Sequence, residues 1–349
     1  MDAADLDLLN GFQRDFPLTS EPFRIIAERL GQTEAEVLAA LRRLQQDGKV
    51  SRVGAVFATR KLGVSTLAAL AVPVARLETV AGWVNDYPEV NHNYQREHDF
   101  NLWFVLTTAS HTRLQTVLSE IKDKTGLPLL DLPLLEAFHI DLGFDLRHGG
   151  HKPLASPTKL TRLATPVALS ALDRRVLTAL QPGLPLVNRP YQALADSLGL
   201  GERQFIQKLR GWLEQGLIKR LGVIVRHREL GYRANAMVVW DIPDTEVSAV
   251  GRRLAAESGV NLCYRRPRRL PDWPYNLFCM MHGRERDEVL ARIATLAAEH
   301  DFQRYPHAAL FSSRCFRQRG AWYLPPVPSS MPVVGTQALA CFETAAWTS

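Results

Sequence analysis

Pro17-Leu18-Thr19-Ser20-Glu21-Pro22-Phe23 returns 168 residues later as Pro185-Leu186-Val187-Asn188-Arg189-Pro190-Tyr191, and that recurrence decides the fold. At the same offset Gly31 meets Gly199, Glu34 meets Glu202, Leu41-Arg42 meets Leu209-Arg210 and Gly48 meets Gly216. The match continues ungapped, with Arg52, Gly54, Arg60, Leu62 and Gly63 against Arg220, Gly222, Arg228, Leu230 and Gly231. Farther on, Asn91-x-x-Tyr94-x-Arg96 meets Asn261-x-x-Tyr264-x-Arg266, and Asn101-Leu102 meets Asn276-Leu277 after a five-residue insertion. Self-similarity at a fixed spacing is the signature of a tandem duplication.

Within one repeat the pattern is helical first. Ser20 can open a helix carrying Phe23, Ile26, Ala27 and Leu30 on one face, stopped by Gly31. Thr33-x-x-Glu36 reads as a capping box for a second helix, with Val37, Leu38, Leu41 and Leu44 inward and Gly48 as its stop. Val50–Phe57 then reads as a strand pair around Gly54, completing a winged helix-turn-helix. The remainder predicts a strand over 66–74, a helix over 77–85 and a hairpin over 90–96 and 102–108. A helix over 114–124 and a closing strand over 138–146 complete it. That β-α-β-β-α-β order is the ferredoxin-like plan, and the second half repeats it. The expected class is α+β in six segments. These are winged helix-turn-helix 1–64, ferredoxin-like domain 65–147, a Gly/Pro/Ser/Lys-rich linker 148–170, winged helix-turn-helix 171–232, ferredoxin-like domain 233–324 and a tail 325–349.

Composition bounds the function. The chain of 349 residues is 46% hydrophobic and 22% charged, enough for two modest domains. It holds no run of about eighteen apolar residues, so a membrane span is not expected. The start, Met1-Asp2-Ala3-Ala4-Asp5, is acidic and unlike a secretory signal. Cys263, Cys279, Cys315 and Cys341 show no CxxC spacing, which argues against a zinc site or a disulfide framework and for a reducing cytoplasm. GxGxxG, P-loop, HExxH and GxSxG signatures are missing. Residues 1–155 hold 16 Lys+Arg against 20 Asp+Glu, so the net +6 leaves the remainder at +10. The basic half calls for an anionic partner.

The hairpin carries the chemistry. In Asn91-His92-Asn93-Tyr94-Gln95-Arg96-Glu97-His98, alternation places His92, Tyr94, Arg96 and His98 on one face, either a reactive surface or a merely solvated one. Tyr264 and Arg266 recreate part of it. The insertion then supplies Arg265-Arg266-Pro267-Arg268-Arg269-Leu270-Pro271-Asp272-Trp273-Pro274-Tyr275, in which four arginines beside aromatics suit several carboxylates on a flat ring. A solvated basic loop is the alternative. His139 reads as a core histidine, His282 as equally structural or functional, and His148 and His151 as solvated linker residues.

Helix-turn-helix followed by ferredoxin-like domain resembles the Lrp/AsnC regulator architecture. The wording His92-Asn93-Tyr94-x-Arg96-x-His98-x-x-Asn101-Leu102-Trp103-Phe104 is closer to siroheme decarboxylases. Tyr264-x-Arg266-Pro267, Trp273-Pro274-Tyr275-Asn276-Leu277-Phe278 and Met281-His282-Gly283 resemble the partner subunit of the same enzymes, as in the fused NirD–NirL form of heme d1 biosynthesis. The resemblance spans about residues 5–323.

What it implies is non-oxidative loss of CO₂ from the acetates at ring positions 12 and 18 of siroheme, giving 12,18-didecarboxysiroheme without an added cofactor. His98 is then expected as proton donor first and His92 second, with Arg96 fixing the reacting carboxylate and Tyr94 aligning it. Arg265, Arg266, Arg268 and Arg269 are expected to clamp the other carboxylates, with Tyr264, Trp273, Tyr275 and His282 also at the substrate. His98 or His92 is the alternative axial ligand to the substrate's iron. One principal pocket on the first repeat's sheet is expected, in an internal pseudo-dimer whose further oligomerisation stays open. The other reading is a heme- or siroheme-responsive DNA-binding regulator. It is disfavoured because Thr33-Glu34-Ala35-Glu36 opens the helix that would meet phosphate.

Overall fold

A computed structural model describes residues 1–140, 146 and 167–324. The expected tail, His148, His151, Cys341, most of the linker and the later part of the expected strand over 138–146 lie outside those residues.

Each repeat opens with three helices: α1 (Ala3–Gly11), α2 (Pro22–Leu30) and α3 (Glu34–Gln46). Pro22 at the first position of α2 supplies a fixed φ where no N–H is needed, so Glu21 rather than Ser20 is the N-cap. Thr33 and Glu36 close the capping box of α3. The strand β1 (Val50–Phe57), a short helix α4 (Thr59–Leu62) and β2 (Val64–Leu70) follow. Next come α5 (Leu77–Asp86), β3 (Val90–Arg96), β4 (Leu102–Thr108), α6 (His111–Thr125), β5 (Leu129–Pro133) and β6 (Glu136–Ile140). The second repeat gives α7 (Ala171–Leu180), α8 (Pro190–Ser197), α9 (Glu202–Glu214) and β7 (Ile218–Val225). It continues with β8 (Ala234–Trp240), α10 (Val247–Ala255), β9 (Val260–Arg265), β10 (Leu277–Gly283), α11 (Arg286–Glu299) and β11 (His307–Gln318).

Two features depart from the sequence-based expectation. Val50–Phe57 is not a strand pair inside one repeat: β1 is a single strand paired antiparallel with β7 of the other repeat, Gly54 opposite Gly222. A Cβ on Gly222 would fall 2.1 Å from the carbonyl oxygen of Gln13, so the glycine admits the loop after α1 to the ladder. The helices of both repeats share one core around this ladder, including Phe23, Leu41, Tyr191, Phe205 and Leu209.

The closing strand begins earlier than 138 and is broken after Pro133. Its first part, β5, pairs with β2 of its own repeat, while β6 crosses to β9 of the other. The second repeat answers in kind. β11 pairs with β8 over His307–Phe311 and with β3 over Ser312–Gln318. The resulting order, β5-β2-β4-β3-β11-β8-β10-β9-β6, has consecutive strands at its two ends. The sheet therefore returns on itself as two facing layers. Helices α5 and α6 cover one outer face, packing Val80, Val84, Val117 and Ile121 on Phe104 and Leu106. Helices α10 and α11 cover the other. Between the layers lies a shared interior of Leu67, Trp103, Leu132, Met237, Trp273, Phe278 and Leu310. Neither half closes its interior without the other's last strand.

Candidate active site

Alternation along β3 assigns its two faces. Asn93 turns to the helices, where its amide donates to the Ala81 carbonyl at 3.2 Å and to Asn85 Oδ1 at 3.1 Å. His92, Tyr94 and Arg96 consequently turn inward, with Tyr94 opposite Trp103. Arg96 donates from Nη1 to the Leu310 carbonyl of β11 at 2.9 Å. Its counterpart Arg266 donates to the Leu132 carbonyl of β5. The guanidinium groups lie 5.9 Å and 4.7 Å from the ring centres of Tyr94 and Tyr264 respectively. The two N-x-x-Y-x-R motifs thus form a pseudo-twofold pair, each tied to a carbonyl of the other repeat's closing strands.

Around His92 the fold gathers side chains from both repeats. The His92 ring stacks on Tyr94, centres 6.1 Å apart and planes inclined by 15°. On β10, His282 Nδ1 lies 2.8 Å from Asn261 Oδ1 of β9, and its ring centre is 5.6 Å from that of His227 in the turn after β7. Arg228 of that same turn donates to the Ser312 and Ser313 carbonyls of β11 at 3.3 and 3.0 Å. Arg52 of β1 acts on His92, and Arg220 of β7 on His227. The paired wing strands therefore bring arginines to this cluster.

Its electrostatics are unusual in the excess of cation. Burial first, and the Arg52 charge second, push His92 down to about 4. Burial and Arg220 push His227 down to about 4, and burial, His227 and Arg96 push His282 down to about 3. All three imidazoles are neutral at pH 7. Burial lowers Arg96 and Arg220 to about 10, which leaves both charged. The partners of these arginines are backbone carbonyls: Leu310 for Arg96, Ala55 for Arg52, Gln13 for Arg220, Ser312 and Ser313 for Arg228. Nε of Arg52 and of Arg220 is buried without a hydrogen-bond partner among the described residues. Orphaned buried donors beside uncompensated positive charge make a site for an anion.

The pseudo-twofold axis supplies an internal control. At the opposite end Arg60 donates to the Leu134 carbonyl as Arg228 does to Ser312, and Arg266 stands for Arg96. The imidazoles are not repeated there: Leu262, Thr59 and Thr107 occupy the positions of His92, His227 and His282. Asn91 donates to Thr107 Oγ1 at 2.9 Å where Asn261 meets His282.

The other expected site residues are placed elsewhere. His98 follows His92 by six residues, about 20 Å of chain at strand spacing, beyond the end of β3. Its Nδ1 accepts from the Phe100 N–H at 3.1 Å, and with Ala71, Asp99, Phe100, Pro128 and Asp272 it lines a cleft of about 320 Å³. Burial lowers its pKa, against the pull of Asp99. So the expected single face His92–Tyr94–Arg96–His98 ends at Arg96, because the chain bends out of the strand at Glu97.

The expected four-arginine clamp is not assembled. Arg265 pairs with Asp244 at 2.8 Å, and Arg268 with Asp241 and Asp244 at 2.7 and 2.9 Å. Arg269 donates to the Arg268 carbonyl and pairs through its backbone with Trp273, while Arg266 points inward. The aspartates at the end of β8 neutralise the loop. Trp273, 0% exposed, is packed against Trp103, His98 and Tyr275 at 5.1, 5.2 and 5.0 Å, so here it plugs the interior rather than offering a face to a ligand.

Sequence reasoning missed His227, Asn261 and the wing arginines Arg52, Arg220 and Arg228 as site residues. Their signal was present: both repeats keep an arginine at each of the two positions, an extravagance for an ordinary wing.

Residues 61–139 and 229–317 match the AsnC-like ligand binding domain, and residues 5–50 and 173–219 match the siroheme decarboxylase NirDL-like HTH domain. The siroheme decarboxylase NirDL subunit of Paracoccus denitrificans is 47% identical, over 92% of this chain and 97% of its own. A crystal structure of the siroheme decarboxylase NirDL superposes with a TM-score of 0.67 at 31% identity, covering 92% of this chain and 94% of that one. A second, of NirDL with an iron-uroporphyrin III analogue, gives 0.65 at 30% identity over 92% and 93%. Among the described residues no helix is long and apolar enough to cross a membrane.

Proposed function

The chain belongs to the siroheme decarboxylase NirDL family, and from that premise we propose that it removes CO₂ from siroheme in the chamber between the wing strands and the two-layered sheet. The products we assign are those of the acetates at ring positions 12 and 18, giving 12,18-didecarboxysiroheme for heme d1 formation. The observation that carries this reading is the convergence of Arg52, Arg96, Arg220 and Arg228 with three neutral imidazoles and, among the described residues, no carboxylate hydrogen bond to any of the four arginines. A substrate with eight carboxylates supplies the missing charge.

The step itself is R–CH₂–COO⁻ plus H⁺ to R–CH₃ plus CO₂. The electron pair of the breaking C–C bond moves into the pyrrole ring once that ring has been protonated, and a proton ends on the new methyl. No redox partner is needed, so no added cofactor is proposed. The protein positions the acetate and supplies protons. Arginine fixes the carboxylates through charge-assisted hydrogen bonds. Carboxylates entering the chamber raise the imidazole pKa values, because an opposite charge within about 4–6 Å favours the protonated ring. Proton donation is thereby switched on by substrate. His92 is our assignment for the donor in place of His98: it stands among the arginines and stacks on Tyr94. One working pocket per chain follows, since the opposite end carries Leu262, Thr59 and Thr107.

Retention of DNA reading is not favoured. Glu34, at the leading end of α3, accepts from Asn188 of the other repeat, and Arg42 donates to the Leu186 carbonyl at 2.6 Å. That helix is thus engaged within the chain at the end that would meet bases. Anaerobic incubation with siroheme, followed by mass analysis of the pigment, tests the proposal: two CO₂ lost supports it, and a bound but unaltered pigment contradicts it.

A further inference from the structure

The opposite end has exchanged imidazoles for hydroxyls without giving up its cations. Arg266 is 9% exposed, its Nη1 donates to the Leu132 carbonyl, and its Nε is buried with no hydrogen-bond partner among the described residues. Arg60 donates from Nη2 to the Leu134 carbonyl, two residues farther along the same segment, at 2.6 Å. The two guanidinium groups are therefore neighbours, and the Arg60 charge acts on Arg266. It acts on Lys219 of β7 as well. Lys219 keeps contact with solvent, yet the protein around it, and after that Arg60, lowers its pKa.

Among the described residues no carboxylate pairs with any of these three cations; the partners of the arginines are the two carbonyls. Asp131 does act on Arg266, but less than Arg60 does, and it accepts from Thr66 Oγ1 at 2.6 Å. Neighbouring cations repel, and burial takes away the water that would screen them. The pseudo-twofold axis shows that the lysine is particular to this end. At the 168-residue offset Lys219 corresponds to Ser51, just as Thr59 corresponds to His227. One end thus combines arginines with rings that can hand over a proton. The other combines them with an ammonium, a compact charge carrying three donors.

We propose that Arg60, Lys219 and Arg266 form a second, non-catalytic site for a small oxyanion, a carboxylate or phosphate group entering from the Lys219 side. A guanidinium fork and an ammonium together match the oxygens of either group. The bound anion also braces the strand exchange, because Leu132 lies in β5 and Leu134 leads into β6, which crosses to β9.

The test is calorimetric titration of the whole chain, its chamber first saturated with metal-free uroporphyrin III, using inorganic phosphate and citrate at constant ionic strength. One anion per chain is expected to bind, and the tighter probe identifies the phosphate or the carboxylate class. Lys219→Ser, which installs the residue of the other end, and Arg60→Gln should each weaken it ten- to hundred-fold, the loss of one charged hydrogen bond. Siroheme decarboxylation should stay within twofold in both. Should Arg60→Gln fail to fold, Lys219→Ser carries the test, since that side chain reaches solvent. Binding of neither probe, or binding unchanged in the variants, overturns the proposal. Parallel loss of porphyrin affinity and decarboxylation in Lys219→Ser overturns it too, by making these cations part of the substrate chamber, and leaves the decarboxylase reading standing. If the porphyrin itself does not bind, that reading falls while the anion titration still decides this one.

Discussion

Acidification of the ligand-free protein probes the chamber before any substrate is added. His92, His227 and His282 are held at about 4, 4 and 3 in the folded chain, whereas an unfolded histidine titrates near 6.5. Between those values the unfolded chain takes up a proton that the folded chain refuses, so stability is fully present above pH 6.5 and is lost as pH falls toward 4. Each ring accounts for about 1.5 kcal/mol between pH 6.5 and 5.0, and the three together for about 4–5 kcal/mol, a large share of a domain's stability. Most carboxylates remain ionised in that interval, which isolates the histidine contribution. Denaturant unfolding at pH 6.5, 6.0, 5.5 and 5.0 measures the slope. The triple variant His92→Leu, His227→Thr, His282→Thr borrows the residues of the opposite end and should flatten it by about two-thirds or more. A slope unchanged in the triple variant would refute the claim that these imidazoles are buried neutral among arginines. Saturating a metal-free polycarboxylate porphyrin should reduce the slope as well, since bound carboxylates let the folded rings accept protons.

Removing one guanidinium, Arg220→Ala or Arg228→Ala, should weaken siroheme binding by about ten- to hundred-fold, the loss of one charged hydrogen bond of about 1.5–3 kcal/mol; equal dissociation constants in a fluorescence titration would contradict the anion wall. His92→Leu should lower the single-turnover rate by about 10²–10⁴, while His98→Ala changes it less than tenfold, and the reverse ranking would return the acid role to the cleft beside Trp273. Halves produced separately should each lack turnover and recover it on mixing, because His92 comes from one and His227 and His282 from the other. Full turnover by either half alone would dissolve the shared chamber.

Much of this architecture was legible in the chain itself. The offset linking Pro17–Phe23 to Pro185–Tyr191 exposes the duplication, and local periodicity marks each helix and the β3–β4 hairpin. The strand exchanges were not legible, because β6 and β11 have the same local pattern whether they pair at home or across the pseudo-twofold axis. The wing likewise reads as a strand, and only tertiary packing reveals that β1 chooses β7. Alternation correctly grouped His92, Tyr94 and Arg96, then failed at His98, where the backbone leaves the strand. The arginine-rich insertion looked like a clamp because its partners, Asp241 and Asp244, lie more than twenty residues earlier in sequence. His227 was silent for a similar reason: it occupies a short turn, where no periodicity assigns a direction.

The central claim is that one chamber, built by both repeats, decarboxylates siroheme through His92. Anaerobic single-turnover incubation of the whole chain and of His92→Leu with siroheme, with mass analysis of the extracted pigment, tests it most directly. The pigment held by the unaltered chain should lose two CO₂, and the variant should bind it without loss. Equal decarboxylation by the two proteins, or none by the unaltered chain despite tight binding, would contradict it.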